Sequence, residues 1–286
     1  MKTKEFFLLC LLIGIVISQL SAQKSTKQND YTMLGAPASV TDKMNGKVQK
    51  VVLKLYWCAG TGENITKGKH ITTRERDSLG WFYDFEATFD KVGDHIINYN
   101  TLDDNNKPFN RYQFKRENGQ IVSSKWTFGK TMKMGHGSYS KGDGYTKNIY
   151  NEKGHLAGTE DYKADDNSLL YSFKLINNES GDLIEGQAFD NKGNFIRKWT
   201  ISYNDKRQVI GGNWTGKDGI IAGSYANIIN DKGKVSEMTN FDKDKKVTVI
   251  HKYTYPEYDA RGNWLKVLYK NNMGQSLFCE RTITYF

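Results

Sequence analysis

From about residue 85 to the end, the chain repeats one unit: an aromatic or apolar stretch, an Asn/Asp-Lys-Gly-like turn, then another apolar stretch. Clear copies are Phe189-Asp190-Asn191-Lys192-Gly193-Asn194-Phe195-Ile196, Ile229-Asn230-Asp231-Lys232-Gly233-Lys234-Val235 and Tyr258-Asp259-Ala260-Arg261-Gly262-Asn263-Trp264-Leu265. The turn positions Gly181, Gly193, Arg207, Gly219, Gly233 and Lys245 are separated by 12, 14, 12, 14 and 12 residues, so the period is 26 and each half-unit holds one strand and one turn. Gly93 and Gly119 keep the same 26-residue spacing, and Gly262 and Gly274 resume the 12 after Pro256 interrupts it. A repeat of this kind dictates stacked hairpins before any single residue is considered.

The turn spelling has a local cause. Asn and Asp bond their own backbone and tolerate left-handed dihedrals, while Gly takes positive φ without steric cost. Arg207 and Lys245 stand where Gly is expected, so there either the turn type changes or strain is accepted. Runs such as Ile201-Ser202-Tyr203 and Val247-Thr248-Val249 carry the β-branched and aromatic residues that suit strands. Strands joined by such short turns are antiparallel. No run shows helical periodicity with caps, so helix content should be small.

Residues 1–22 read as a secretory signal peptide: Lys2 and Lys4 at the start, an apolar core from Phe6 to Ile17, and a small-residue cleavage region ending at Ala22. That core is shorter than the ~20 residues a spanning helix needs, so no transmembrane segment is expected after cleavage. The mature chain keeps 39 basic and 31 acidic side chains, a net charge of +8 spread through turns rather than gathered in a block. Such a surface would adhere weakly to anionic glycans, lipid headgroups or nucleic acid, and no dedicated nucleic-acid face is expected because secretion removes the protein from most such partners. Residues 23–43 form a flexible polar lead, and residues 44–286 a single β-repeat domain opening on Val48 to Trp57.

A mean hydropathy of −0.67 leaves little material for a thick core. Stacked hairpins answer this through local contacts, with the 17 Tyr and 14 Phe supplying buried area at strand centres. The expected fold is therefore all-β: an antiparallel β-hairpin repeat array, an open, curved sheet or solenoid, capped by the first strand and by Thr282 to Phe286. Five glycines between Thr127 and Tyr145 mark a long hairpin or protruding loop that breaks the array. Cys58 and Cys279 lie near opposite ends of the folded region. They could pair in an oxidising compartment, but nothing in the sequence brings those ends together, and two buried thiols are expected.

Laid out this way, the units resemble the YD/RHS-type repeats of bacterial secreted and surface proteins, spelled Tyr-Asp-x-x-Gly-Asn before an apolar residue. Tyr258-Asp259-Ala260-Arg261-Gly262-Asn263-Trp264 matches fully, with Phe variants at Phe89 to Asp94 and Phe189 to Asn194. The resemblance covers roughly residues 85–286. It implies a hairpin scaffold without catalytic residues of its own, in the periplasm, at the outer membrane or outside a Gram-negative cell. This chain is short for a cargo-enclosing shell and carries no obvious terminal effector domain.

The residues show little chemistry of their own. His70, His95, His136, His155 and His251 have no partners at metal-ligand spacing and read as surface or turn residues, so no metal or cofactor is expected. Gly135-His136-Gly137-Ser138 lacks the nucleophile-elbow pattern. Asp103-Asp104-Asn105-Asn106 and Asp165-Asp166-Asn167 lack the spaced calcium-loop pattern and read as turns. Binding is the better-supported class: exposed aromatics on a broad hairpin face suit a glycan, a peptide or an envelope protein. Trp126, Trp199, Trp214 and Trp264 are the candidate ligand-binding residues, against inward packing as the alternative. The expected function is a secreted, non-catalytic binding or scaffolding module. The alternatives are an envelope enzyme acting on glycan or peptide, and a component of a toxin-immunity or surface-display system.

Overall fold

The computed structural model describes residues 44–60, 65–79, 83–91, 95–130, 132–134 and 137–286. The signal peptide, the polar lead, Trp81, the Gly93 turn and His136 lie outside the described residues. The chain forms β1 (Val48–Ala59), β2 (Thr66–His70), α1 (Thr73–Leu79), β3 (Phe85–Phe89), β4 (Ile96–Leu102), β5 (Pro108–Glu117), β6 (Gln120–Phe128), β7 (Met132–Met134), β8 (Gly137–Tyr139) and β9 (Gly142–Tyr150). It continues through β10 (Leu156–Lys163), β11 (Leu169–Asn177), β12 (Leu183–Asp190), β13 (Phe195–Tyr203), β14 (Val209–Thr215) and β15 (Ile221–Ile229). Last come β16 (Val235–Asp242), β17 (Val247–Tyr258), β18 (Trp264–Asn271) and β19 (Ser276–Tyr285).

The turns behave as their spelling requires. At Asp190 the amide donates to Asn194 O and Gly193 N donates back to Asp190 O, while the Asp190 carboxylate accepts from the amides of Lys192 and Asn194 at 2.9 and 2.8 Å. This three-residue loop, with Gly193 at φ +78°, is a type I turn closed by a glycine bulge. The same bonds recur at Asn230, Asp259 and Asn271. Asn118-Gly119, both at positive φ, makes the tighter two-residue hairpin between β5 and β6. Arg207 and Lys245 settle the question their positions raised. Both keep the turn bonds at φ +59° and +60°, so the turn is preserved and strain is accepted.

The array is not open. β1 and β19 pair antiparallel from Val48↔Tyr285 to Trp57↔Leu277, and β1 also pairs with β3. With β6 joined to β9 and every later neighbour paired in order, sixteen strands close into a ring, a β-barrel, and β2 extends β1 outside it. Closure removes the exposed edges that capping was expected to cover. The two presumed caps pair with each other. Closure also sets Leu55 opposite Cys279, overturning the premise that the cysteines lie far apart; both thiols are nonetheless free, Cys58 half-buried and Cys279 buried.

Inward side chains form two packed clusters. One gathers Val51, Leu53, Leu55, Phe85, Tyr269 and Leu277 around β1, and the other Trp126, Phe173, Leu175, Trp199 and Trp214 across the repeats. Tyr112 and Met238 touch both, so the apolar interior is continuous. The glycine-rich insertion does not simply protrude. It forms the β7–β8 hairpin, and Tyr139 is buried against Trp126 and Phe128 with its hydroxyl donating to the buried Asp161 carboxylate. Desolvation raises the Asp161 pKa.

Candidate functional site

The repeat has two rims. Near the start of β1, neighbouring turns are tied together: Gln120 Nε2 donates to Gly154 O, Arg207 to Asp182 and Ser180 O, and Asn45 Nδ2 to Arg261 O. Between the β9–β10 and β11–β12 turns of this rim lies an open polar groove of about 590 Å³, lined by Tyr150, Glu152, Lys153, His155, Asn177 and Glu179.

The opposite rim carries α1 and a concentration of charge. Here β1 changes partner: Leu53 still faces Phe85 of β3, but Tyr56 faces His70 of β2. At the switch the Leu55 amide has no strand carbonyl opposite, and the carboxylate of Asp84, the residue before β3, accepts it at 2.9 Å. Asp84 is also hydrogen-bonded to His70 Nε2 at 2.6 Å and Lys54 Nζ at 3.3 Å, and is ion-paired with Arg76 Nη1 3.0 Å away. Asp84 and Arg76 are fully buried. A buried carboxylate surrounded by this many donors has the partners its desolvation demands.

Arg76 is delivered by α1, which begins with a capping box: Thr72 Oγ1 accepts from Glu75 N at 3.3 Å and Glu75 Oε2 accepts from Thr72 N at 2.8 Å. These Thr72 bonds hold the Glu75 carboxyl below its ordinary pKa. Asp104, from the turn after β4, accepts from Thr73 N at 2.6 Å and from Arg76 Nη2 at 3.1 Å. Desolvation pushes the Asp104 pKa up, and these bonds overcome it and bring it below normal. His70 Nε2 lies 2.6 Å from Asp84 Oδ2, in a side chain still 32% exposed. Chemically, the centre can orient an imidazole toward solvent. It also pins β1, β2, β3, α1 and the β4 turn together.

The four candidate tryptophans do not form an exposed platform. Trp126, Trp199, Trp214 and Trp264 are all buried. Trp199 and Trp214 sit opposite one another on β13 and β14, each lying over a glycine of the next strand, Gly186 and Gly223, and Trp126 covers Gly144 in the same way. Trp264 stacks under the Arg281 guanidinium, 3.6 Å away. Large rings fill the space that glycine leaves on the inner wall, so packing claims them. Two histidines also depart from the surface reading. His70 belongs to the charged centre, and His251 is buried between Asn240 and Tyr269 at 2.8 Å each. The Asp103 and Asp166 segments are turns whose carboxylates accept backbone amides. Among the described residues, no group of three or more His, Cys, Asp or Glu side chains is placed to hold a metal ion. The charged centre left one trace in the sequence: Thr72-Thr73-Arg74-Glu75, a capping box in a charged segment that breaks the repeat.

No protein-family model matches the chain, and no curated protein matches it. Among solved structures it is similar in fold to a porin-like protein from Bacteroides uniformis, with a TM-score of 0.51, 10% identity, and 83% of this chain and 96% of that one covered. A porin-like protein from Bacteroides vulgatus matches at TM-score 0.37 and 14% identity, over 85% of this chain and 99% of that one. A toxin complex, TcdB2-TccC3-TEV, matches at TM-score 0.20 and 9% identity, over 70% of this chain and 15% of that one. The last two scores are too low to carry an argument. The chain is thus an all-β barrel whose likeness to the Bacteroides uniformis protein is one of fold alone, and its YD/RHS resemblance remains a likeness of turn spelling.

Proposed function

We propose that this protein is an exported, water-facing β-barrel that acts as a non-catalytic binding or scaffolding module of the bacterial envelope. The observation that carries the reading is the outer wall. It bears pairs of opposite charge on adjacent strands: Lys50–Glu86 at 2.6 Å, Lys198–Glu185 at 3.3 Å, Lys266–Glu257 at 2.5 Å, and Lys147 directly opposite Glu160. A barrel that spans a membrane needs an apolar outward band and a polar interior. Here the interior is packed with apolar side chains, and the outer wall carries these paired charges. The signal-peptide-like start and the porin-like fold of a Bacteroides uniformis protein support an envelope setting.

The polar groove between the β9–β10 and β11–β12 turns suits a glycan or a peptide segment, and the turn-studded rim suits an envelope protein. Expression of the full chain in a Gram-negative host tests the reading. Cleavage before Gln23 and release by osmotic shock without detergent are expected; extraction from the outer membrane only by detergent would overturn it. The enzyme reading has one observation in its favour, His70 held by Asp84 with Nδ1 free of that bond. Its test is hydrolysis of peptidoglycan or peptide by the wild type and its loss in His70→Ala.

A further inference from the structure

The wall of the barrel is complete without the β7–β8 hairpin. β6 and β9 pair directly up to Phe128↔Gly142, and residues 129–141 are inserted between those two partners. What the insertion brings is Tyr139. Its buried ring lies 5.5 Å from Trp126 and 5.7 Å from Phe128, steeply inclined to both, and 5.2 Å from Tyr171. Its hydroxyl donates to Asp161, whose other oxygen accepts from Thr146 Oγ1 at 2.6 Å. The main chain beside it is held as well: Ser138 N donates to the Tyr171 hydroxyl at 2.9 Å, and that hydroxyl donates to Ser138 O at 3.2 Å. The seat therefore engages a ring, a hydroxyl on that ring and an extended backbone.

Asp161 is the costly part of this seat. It is 7% exposed, and among the described residues its carboxylate is met by two neutral hydroxyls and no cation. Asp84, by contrast, has Arg76, His70 and Lys54 around it. Burying a carboxylate without a cation is unfavourable, and the wall does not require it. Two residues before the amide that opens each turn, where β10 has Asp161, β12, β14 and β16 have Ala188, Trp214 and Asn240, all buried and none charged. The repeat thus builds the same wall with neutral side chains, and the charge at Asp161 serves the hydroxyl it receives.

From this we propose that the Tyr139 seat is a recognition pocket for a tyrosine on an extended segment of a partner protein, and that the β7–β8 hairpin is the chain's own competitor for it. The proposal rests on the binding-module reading and names the chemistry of the partner. A tyrosine-bearing strand repeats everything the hairpin supplies: the ring against Trp126 and Phe128, the phenolic hydroxyl on Asp161, and a backbone amide and carbonyl for Tyr171. A hydrogen bond to an ionised carboxylate is about twice as strong as a neutral one, so the hydroxyl sets the preference for tyrosine over phenylalanine. The hairpin lowers the partner's apparent affinity by the fraction of molecules in which the seat is filled.

The test uses the peptide acetyl-Gly-Ser-Tyr-Ser-amide, spelled as Gly137 to Ser140, and its phenylalanine counterpart. They are titrated calorimetrically into the full chain and into a variant with Asn-Gly in place of residues 130–140. The tyrosine peptide is expected to bind the shortened variant at least ~10-fold more tightly than the wild type, and at least ~10-fold more tightly than the phenylalanine peptide. Asp161→Ala in the shortened variant should abolish that preference. In the wild type the tyrosine peptide should speed tryptic cleavage after Lys141, as the hairpin leaves its seat, and the phenylalanine peptide should not. If the shortened variant folds poorly by circular dichroism, Tyr139→Ala in the full chain empties the seat for the same comparisons. A variant that binds both peptides alike or neither, or a wild type whose cleavage is unchanged at ~1 mM peptide, overturns the proposal. Binding of N-acetylglucosamine oligomers in place of the peptide also overturns it, while leaving the binding-module reading standing.

Discussion

The repeat arc from β9 to β19 and the junction of β1, β2, α1 and β3 solve the same problem in opposite ways. In the arc neighbouring strands take up most backbone amides, most charge stays on the outer wall, with Asp161 and Arg281 buried, and tryptophans over glycines fill the interior. In the junction, β1 must leave β3 and take up β2, the ladder breaks at Leu55, and a buried carboxylate replaces the missing carbonyl. The difference teaches where single side chains matter. An arc residue shares its work with its repeats, whereas Asp84 has no equivalent.

The largest effect should therefore fall in the junction. Asp84→Ala leaves Arg76 buried without its main counter-charge and should cost about 3–5 kcal/mol, seen as a lowered urea midpoint with an unchanged slope. A loss below 1 kcal/mol would erase the contrast between the two regions. The arc has one comparable weakness in His251, whose burial lowers its pKa to about 4. Above pH 6.5 the imidazole is neutral folded or unfolded. As pH falls from 6.5 toward 4, only the unfolded chain takes up the proton, so stability is lost, by up to about 3 kcal/mol. Urea midpoints at pH 7 and pH 4.5 should differ more in the wild type than in His251→Gln, and equal differences would remove His251 from the account.

Within the arc, Gly186→Ala drives a methyl group into the Trp199 ring and should cost about 1–3 kcal/mol. Gly193→Ala meets no neighbour and should cost only its left-handed backbone, ~1–2 kcal/mol. Comparing the two by thermal melting separates packing from turn strain. The smallest effect is a gain: Lys245→Gly relieves strain at φ +60° and should stabilise by ~0.5–1 kcal/mol, a rise of a few degrees at most.

Much of the arc was legible in the chain because its determinants are local. The 26-residue spacing gave the hairpins, and the Asx and Gly positions gave the turn bonds at Asp190, Asn230 and Asp259. The facing of the tryptophans was not legible. Nearly every hairpin carries a register shift, as at Ala188/Phe189 and Trp214/Thr215, and each extra residue turns the following side chains to the other face. Alternation counted along a strand therefore loses track of inside and outside. The charged centre was hidden for a different reason. Lys54, His70, Arg76, Asp84 and Asp104 come from five separate segments, and His70 had no partner within metal-ligand spacing.

Taken by itself, the sequence determined what short-range hydrogen bonds and backbone sterics can decide: antiparallel hairpins, their order and their turns. Tertiary structure alone decided that the first strand meets the last, that the array closes into a barrel, and that a carboxylate must sit where β1 changes partner. The pairing of Val51 with Ile283 depends on the accumulated twist and stagger of all the strands between them, and no local pattern carries that sum.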